Sequence, residues 1–222
     1  EANSAGADYF ERQGDAAAGE NTRNIGLMNQ YAHRTKFVVA TTSPANVVAR
    51  LHQAEIEPYW FVPLVDNPNR KPLRTLVYSG YEVLDIRPPS LTRQMVDATG
   101  CPAMNTGGTV GTAAWVFSHS VLKAQQIAVV GMDFGYAMGT PLAETQSWNM
   151  LKDDPDVSDL YPHFTGPWGE AYTDPTYWWY RDNFLGLLKA NNANITNCSG
   201  AGLLFGKGVT CLELEEWLED QK

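Results

Sequence analysis

Long apolar runs are missing from this chain. No stretch approaches the roughly 18 consecutive apolar residues of a membrane-spanning helix, so no membrane span is expected. The chain has three cysteines, Cys101, Cys198 and Cys211, far apart in sequence. An odd count without paired spacing argues against a disulfide framework and for a reducing, cytoplasmic compartment. Neither CxxC nor HExxH occurs, which leaves a zinc site without support. Basic residues are also scarce: 16 Lys and Arg face 25 Asp and Glu, for a net charge of -9 and no basic run. Nucleic-acid binding relies on clustered cations, so nucleic acid is excluded as the main partner. A small anionic ligand is not excluded, because backbone N–H groups can hold it. The start, Glu1-Ala2-Asn3-Ser4, has neither an initiator Met nor a signal-peptide layout, which is the expectation for a trimmed chain or a fragment.

A hydrophobic content of 44% with 18% charged residues puts the chain in the ordinary globular class rather than the disordered one. Residues 1–34 read as a lead segment with a helix near 24–33, and 35–222 as one α/β domain. Lys36-Phe37-Val38-Val39-Ala40 has strand length, and Ser43-Pro44 supplies an N-cap and a first helical residue for a helix over 45–54. A second buried strand runs over 59–65 and ends at Asp66. Short strands are expected at 76–78 and 82–86, and a Ser90-capped helix through 98. A helix over 109–125 precedes the apolar strand of 126–131. Residues 137–172 lack clear periodicity and read as a lid or insertion. A helix over 175–190, a strand at 194–198 and a last helix at 212–218 complete the chain. Strands alternating with helices imply a Rossmann-like parallel sheet flanked by helices, with ligands beyond the carboxyl ends of the strands.

Several segments reach that edge. Asn105-Thr106-Gly107-Gly108-Thr109-Val110-Gly111-Thr112 is the best ligand candidate: paired glycines before a helix expose backbone N–H groups, and the hydroxyls add neutral donors. It is neither a Walker loop nor a clean GxGxxG, and a tight turn explains the glycines equally. Thr42 and Ser43 end the first strand. Asp133 follows the strand of 126–131 and can accept from a hydroxyl or hold Mg²⁺; a turn or N-cap Asp is the plainer reading. Asp66 invites the same pair of readings. His163, in the irregular segment, is a candidate general base. His33, His52 and His119 read as structural, the acidic run of 153–159 as a solvated loop, and Trp178-Trp179-Tyr180 as packing.

In order and spacing, five segments over roughly residues 35–220 resemble the family of archaeal 6-hydroxymethylpterin diphosphokinase, the MptE-like family. They are Ala54 to Asp66, Asn105 to Gly111, Ile127 to Tyr136, Gly169 to Asp174, and Asn197-Cys198-Ser199-Gly200-Ala201-Gly202. The family includes bacterial motility accessory factors and is similar to certain sialyltransferases. The resemblance implies a transferase with a nucleotide or nucleotide-sugar ligand, and adds Tyr136, Thr173, Asn197 and Ser199 to the expected ligand contacts. The family's first strand turn, Gly-x-Gly-Pro-Ser, has no counterpart in residues 1–34, and Thr41 to Pro44 falls where its second-strand turn belongs.

Three functions follow. The first is diphosphoryl transfer from ATP to a pterin-like or other hydroxyl, with Asp66 and Asp133 orienting Mg²⁺ and no organic cofactor. The second is glycosyl transfer from a CMP-nonulosonate-like donor, with His163 deprotonating the acceptor. The third, from another class, is a ligand-binding domain without activity.

Overall fold

β-Branched residues after Phe37 favour an extended chain, and β1 (Val38–Ala40) forms there in the computed structural model, which describes residues 26–68, 76–78, 81–83 and 90–221. Expectations for 1–25 and for the 84–86 end of the expected 82–86 strand lie outside the described residues. Residues 26–31 are helical and run into a 3-10 turn, Ala32–Arg34. The chain divides between Asn105 and Thr106 into two compact units. Both are mixed α/β with small parallel sheets, each described by itself below.

In the first unit, α1 (Ala45–Gln53) follows β1, then β2 (Tyr59–Pro63), β3 (Leu76–Tyr78), β4 (Tyr81–Val83), α2 (Leu91–Thr99) and β5 (Ala103–Met104). The strand order β1-β2-β5 is parallel throughout, with Val38 opposite Tyr59 and Val62 opposite Ala103. Strands β3 and β4 pair antiparallel. Helix α1 starts one residue later than expected. Pro44 keeps an extended ψ of 147° and is itself the cap residue, so Ser43 caps nothing. Ser90 does cap α2, its hydroxyl accepting from Arg93 N at 3.1 Å. Leu51, Ile56, Phe61 and Val62 are buried along this unit's elements.

The second unit opens with α3 (Val110–Val116), capped by Thr109 and continuing as a π turn over Phe117–Val121, which ends the helical run short of residue 125. Next come β6 (Ala128–Val129), β7 (Tyr136–Ala137), α4 (Trp148–Leu151), β8 (His163–Gly166), β9 (Gly169–Tyr172), α5 (Pro175–Ala190), β10 (Ile195–Asn197), β11 (Val209–Cys211) and α6 (Leu214–Glu219). Strands β11-β10-β6 form a parallel sheet. Trp115, Val129, Phe134, Phe184, Leu188, Ile195 and Leu204 make the core, with Trp115 edge-on to Phe184 at 5.5 Å. Burial of side chains this size contributes about 1.5–3 kcal/mol each, which is why α5 seats firmly here.

The 137–172 segment, expected to be irregular, holds most of a second sheet, antiparallel in the order β7-β9-β8. Pro167 and Trp168 turn the β8–β9 hairpin, and Gly169 takes the positive φ of 105° that follows. Its aromatics are engaged within the fold. Tyr161 and Tyr172 are buried, and Phe164 stacks on Trp178 of α5 at 4.7 Å.

Asp174 locks the start of α5. Its Oδ1 accepts from Tyr177 N at 2.8 Å, while Oδ2 accepts from Tyr136 Oη at 2.7 Å and Ser147 N at 3.3 Å. Pro175 at the first helical position needs no N–H partner. Further along α5, Arg181 donates to Leu203 O at 2.6 Å and Phe205 O at 2.9 Å, flanked by the Trp178 and Phe205 rings. Among the described residues, no helix is long and apolar enough to cross a membrane. All three cysteines are free thiols.

Candidate functional site

Parallel strands leave their last backbone groups and loops at one edge, where a ligand can reach them. In the second unit that edge carries the loops after β6 and β10, and the structure brings both of them, with the Gly107 to Thr112 turn, into contact. Met132 lies 3.0 Å from where a Cβ on Gly111 would be, and Met132 N donates to Ser199 Oγ at 3.3 Å. Gly202, at φ 82°, rests directly on the Asp133 backbone, and Leu203 N donates to Asp133 O at 2.7 Å. Asn197 is fully buried and shapes the β10 loop, with Nδ2 donating to Leu204 O at 2.9 Å and Oδ1 accepting from Ser199 N at 3.0 Å.

Asp133 is the chemically open member of this cluster. Its Oδ1 is buried and has no hydrogen-bond partner. Burial raises its carboxyl above the usual aspartate range, and the Ser199 hydroxyl pulls the other way. An acceptor left without a donor inside a protein costs about 1–3 kcal/mol, and Trp115 Nε1 and Trp168 Nε1 of this unit are likewise without partners. The next residue, Phe134, holds a left-handed φ of 51° because its ring is buried in the core. Backbone strain at Phe134 thus stands directly beside a carboxylate oxygen without a partner.

Other expected contacts are spent on the fold. Thr173 is fully buried and donates to Phe134 O at 3.0 Å. Tyr136 donates to Asp174, and burial drives its phenol far above the ordinary tyrosine range. Thr109 accepts from Thr112 N at 3.1 Å as the cap of α3. Gly107 and Gly108 have φ of 59° and 98°, and each turns its Cβ direction inward, Gly107 onto Thr112 and Gly108 onto Tyr180 at 2.8 Å. The glycines are thus needed for conformation and close approach. Gly108→Val should cost about 2 kcal/mol or more in urea unfolding, from positive φ and overpacking together. A valine variant as stable as the parent would return Gly108 to a purely ligand-facing role. Asn105 ends the first unit and Thr106 opens the second.

His163 is exposed at the start of β8, opposite Tyr172, with its ring stacked on that tyrosine at 5.7 Å. Among the described residues, no hydrogen bond joins it to Asp133 or Ser199.

In the first unit, Asp66 is fully engaged. Oδ1 accepts from Ser90 Oγ at 2.5 Å and Thr92 N at 3.1 Å, and Oδ2 from Leu91 N at 2.8 Å. The Ser90 hydroxyl leads in lowering its pKa to about 2. A folded pKa below the unfolded value near 3.9 means this clamp stabilises the unit above about pH 4 and is lost as pH falls towards 2. Acid titration of Asp66→Asn should therefore lack part of the stability loss that the parent shows between about pH 4 and pH 2. Identical acid profiles would show that the clamp contributes nothing. Thr41 and Thr42, at the end of β1, keep buried hydroxyls without partners, while Ser43 N donates to Ala40 O at 3.0 Å.

Among the described residues, no three His, Cys, Asp or Glu side chains gather as a metal cage. Comparison with protein-family models, curated proteins and solved structures finds no match.

Proposed function

We propose that the chain is a transferase of the MptE-like type, its parallel strands arranged in a Rossmann-like manner, passing an activated group from a nucleotide donor to a hydroxyl acceptor in the cytoplasm. The observation that carries this reading is Asp133: a half-buried carboxylate whose pKa burial raises, one oxygen without a hydrogen-bond partner, held at a strand end where three loops meet. An acceptor hydroxyl hydrogen-bonds to the Asp133 carboxylate and loses its proton to it. The hydroxyl oxygen then attacks the donor, and the nucleotide departs with the bonding pair. A base tuned above the normal aspartate range is closer to the ideal for proton abstraction near neutrality.

Diphosphoryl and glycosyl transfer share this step, and Arg181 favours the second. It is the guanidinium that binds the 203–205 segment, and both of its observed backbone bonds are internal, leaving it no fork for a triphosphate. Mg²⁺ would supply charge neutralisation of donor phosphates. Of the two carboxylates expected to share it, Asp66 accepts three hydrogen bonds within its own unit, and Asp133 Oδ1 has no partner.

Thermal unfolding in the presence of ATP, CMP, CMP-sugars and pterins, with and without Mg²⁺, tests the reading. A donor at 100 times its Kd should stabilise the chain by about 2.7 kcal/mol, and turnover with a hydroxyl acceptor should follow. Stabilisation without turnover of any donor would leave a binding domain in place of a transferase.

A further inference from the structure

Helix α5 buries Arg181, Phe184 and Leu188 on its inner side. Pro175, Trp179, Asp182 and Gly186 recur at three- and four-residue spacing on the other face, and all four are exposed. The aromatic residues around Trp179 have work inside the fold. Tyr177 stacks on Tyr136 at 5.1 Å, Trp178 on Phe164 at 4.7 Å, and Tyr180 packs against the core. Trp179 keeps 57% of its surface exposed, although one ring edge is held against Gly108 and the ring leans on Tyr180 at 5.4 Å. The indole is braced yet more than half open.

Polar groups and free space accompany it. Asp182 is exposed three residues on, with Oδ1 accepting from Arg181 Nη1 at 3.3 Å and no partner for its other oxygen among the described residues. Asn183, four residues on, is half-buried, and its carboxamide makes no hydrogen bond among the described residues. That leaves an acceptor and two donors unused. Side chains on a helix lean towards its N-terminus, so both reach back towards Trp179. Gly186 weakens a helix interior relative to alanine, and nothing lies within 4 Å of where its Cβ would be. Packing inside the unit therefore does not call for a glycine there. From Trp179 to Gly186 the face runs about 10 Å along the axis, the scale of one or two pyranose rings.

These groups select a chemistry. An indole face attracts the slightly positive C–H groups on the apolar side of a sugar. A carboxylate and a carboxamide at its rim suit hydroxyls, each of which both donates and accepts. The Asp182 charge disfavours a phosphate or carboxylate ligand, and the adjacent guanidinium of Arg181 is committed to the carbonyls of Leu203 and Phe205.

We propose that this face of α5, with Trp179 as platform, Asp182 and Asn183 at its rim and Gly186 as its floor, binds a neutral saccharide. The site goes beyond the transferase reading and does not rest on it.

Two-dimensional N–H NMR of the isotope-labelled full chain tests it, with methyl β-galactoside, methyl α-mannoside, N-acetylneuraminic acid and cytidine added separately. The Trp179 indole peak, assigned by its absence from Trp179→Phe, should move with a neutral glycoside and less with the acidic sugar. Trp179→Ala should weaken glycoside binding by about tenfold or more, as loss of a central aromatic contact does. Asp182→Ala and Asn183→Ala should each weaken it by about three- to tenfold, the usual worth of a hydrogen bond. Gly186→Leu should block the floor while thermal unfolding stays unchanged or rises, since leucine outranks glycine in a helix. No movement of the indole peak with either glycoside at high millimolar concentration overturns the site, as does undiminished affinity in both rim variants. Movement with cytidine alone would assign the platform to a nucleobase, and self-association lost in Trp179→Ala would assign it to a second copy of the chain; either result ends the saccharide proposal. Transfer activity that needs Asp133 is independent of all these outcomes.

Discussion

Asp133→Asn should lower turnover about 10²–10⁴-fold, the typical contribution of a positioned base, with little change in donor affinity. The amide is nearly isosteric and cannot take a proton, so the loss should fall on kcat. If the chain is the proposed transferase, the parent's activity should drop as the carboxylate protonates, and the acid limb should lie above the value near 3.9 of an unperturbed aspartate, since burial raises this one. The variant should lack that limb. Stability should move the other way. A carboxyl whose folded pKa is raised binds its proton more tightly in the native state, so its ionisation weakens the fold as pH rises through and beyond the unfolded value. Removing the charge should make the asparagine variant at least as stable as the parent at pH 7 in urea unfolding. Activity lost while stability is kept or gained distinguishes a reacting group from a structural one. Near-normal kcat would dismiss Asp133 as the base and reopen the case for His163.

The opposite pattern is expected at Asp174. It is fully buried, and its removal leaves Tyr136 Oη, Ser147 N and Tyr177 N without their acceptor. Loss of an N-cap costs about 0.5–2 kcal/mol, and each buried donor left unpaired about 1–3 kcal/mol, though such terms overlap. Asp174→Ala should therefore destabilise the second unit by about 3 kcal/mol, which lowers Tm by roughly 10 °C. Asp174→Asn keeps a capping oxygen and should recover part of the loss. Tyr136→Phe removes one hydroxyl and preserves the ring stacking on Tyr177, so about 1 kcal/mol is expected. Scanning calorimetry of the three variants should rank them in that order. An alanine variant within about 0.5 kcal/mol of the parent would mean that water replaces the carboxylate without cost.

Local signals were the legible ones. Ser90 stands before an apolar-periodic segment and caps α2 as its position suggests. The run 175–190 is periodic and bounded, and α5 occupies it fully. Asp133 was readable as a strand-end carboxylate; that its oxygen lacks a partner depends on how Ser199 and Gly202 return to it from nearly 70 residues away, as the Met132–Ser199 bond spans 67. Asp66 shows the same limit in reverse. Its three partners lie 24 to 26 residues downstream, and only the folded chain reveals that they consume it. The antiparallel sheet of 136–172 was hidden because Pro167, Trp168 and flanking glycines blur the two-residue alternation of β8 and β9. The division at Asn105 was hidden because that Asn-Thr-Gly-Gly stretch reads as a binding loop before it reads as a boundary.

Both hydrogen bonds by which Arg181 holds the loop after β10 go to backbone carbonyls, those of Leu203 and Phe205, with the Phe205 ring lying against the guanidinium. A grip on backbone is indifferent to which residues carry it. Among 199–205, Ala201 is exposed and can change without touching that grip, whereas Leu203 and Leu204 are buried and Ser199 and Gly202 meet the loop after β6. Substitution can therefore begin at the exposed tip of the loop while the backbone that Arg181 holds stays in place.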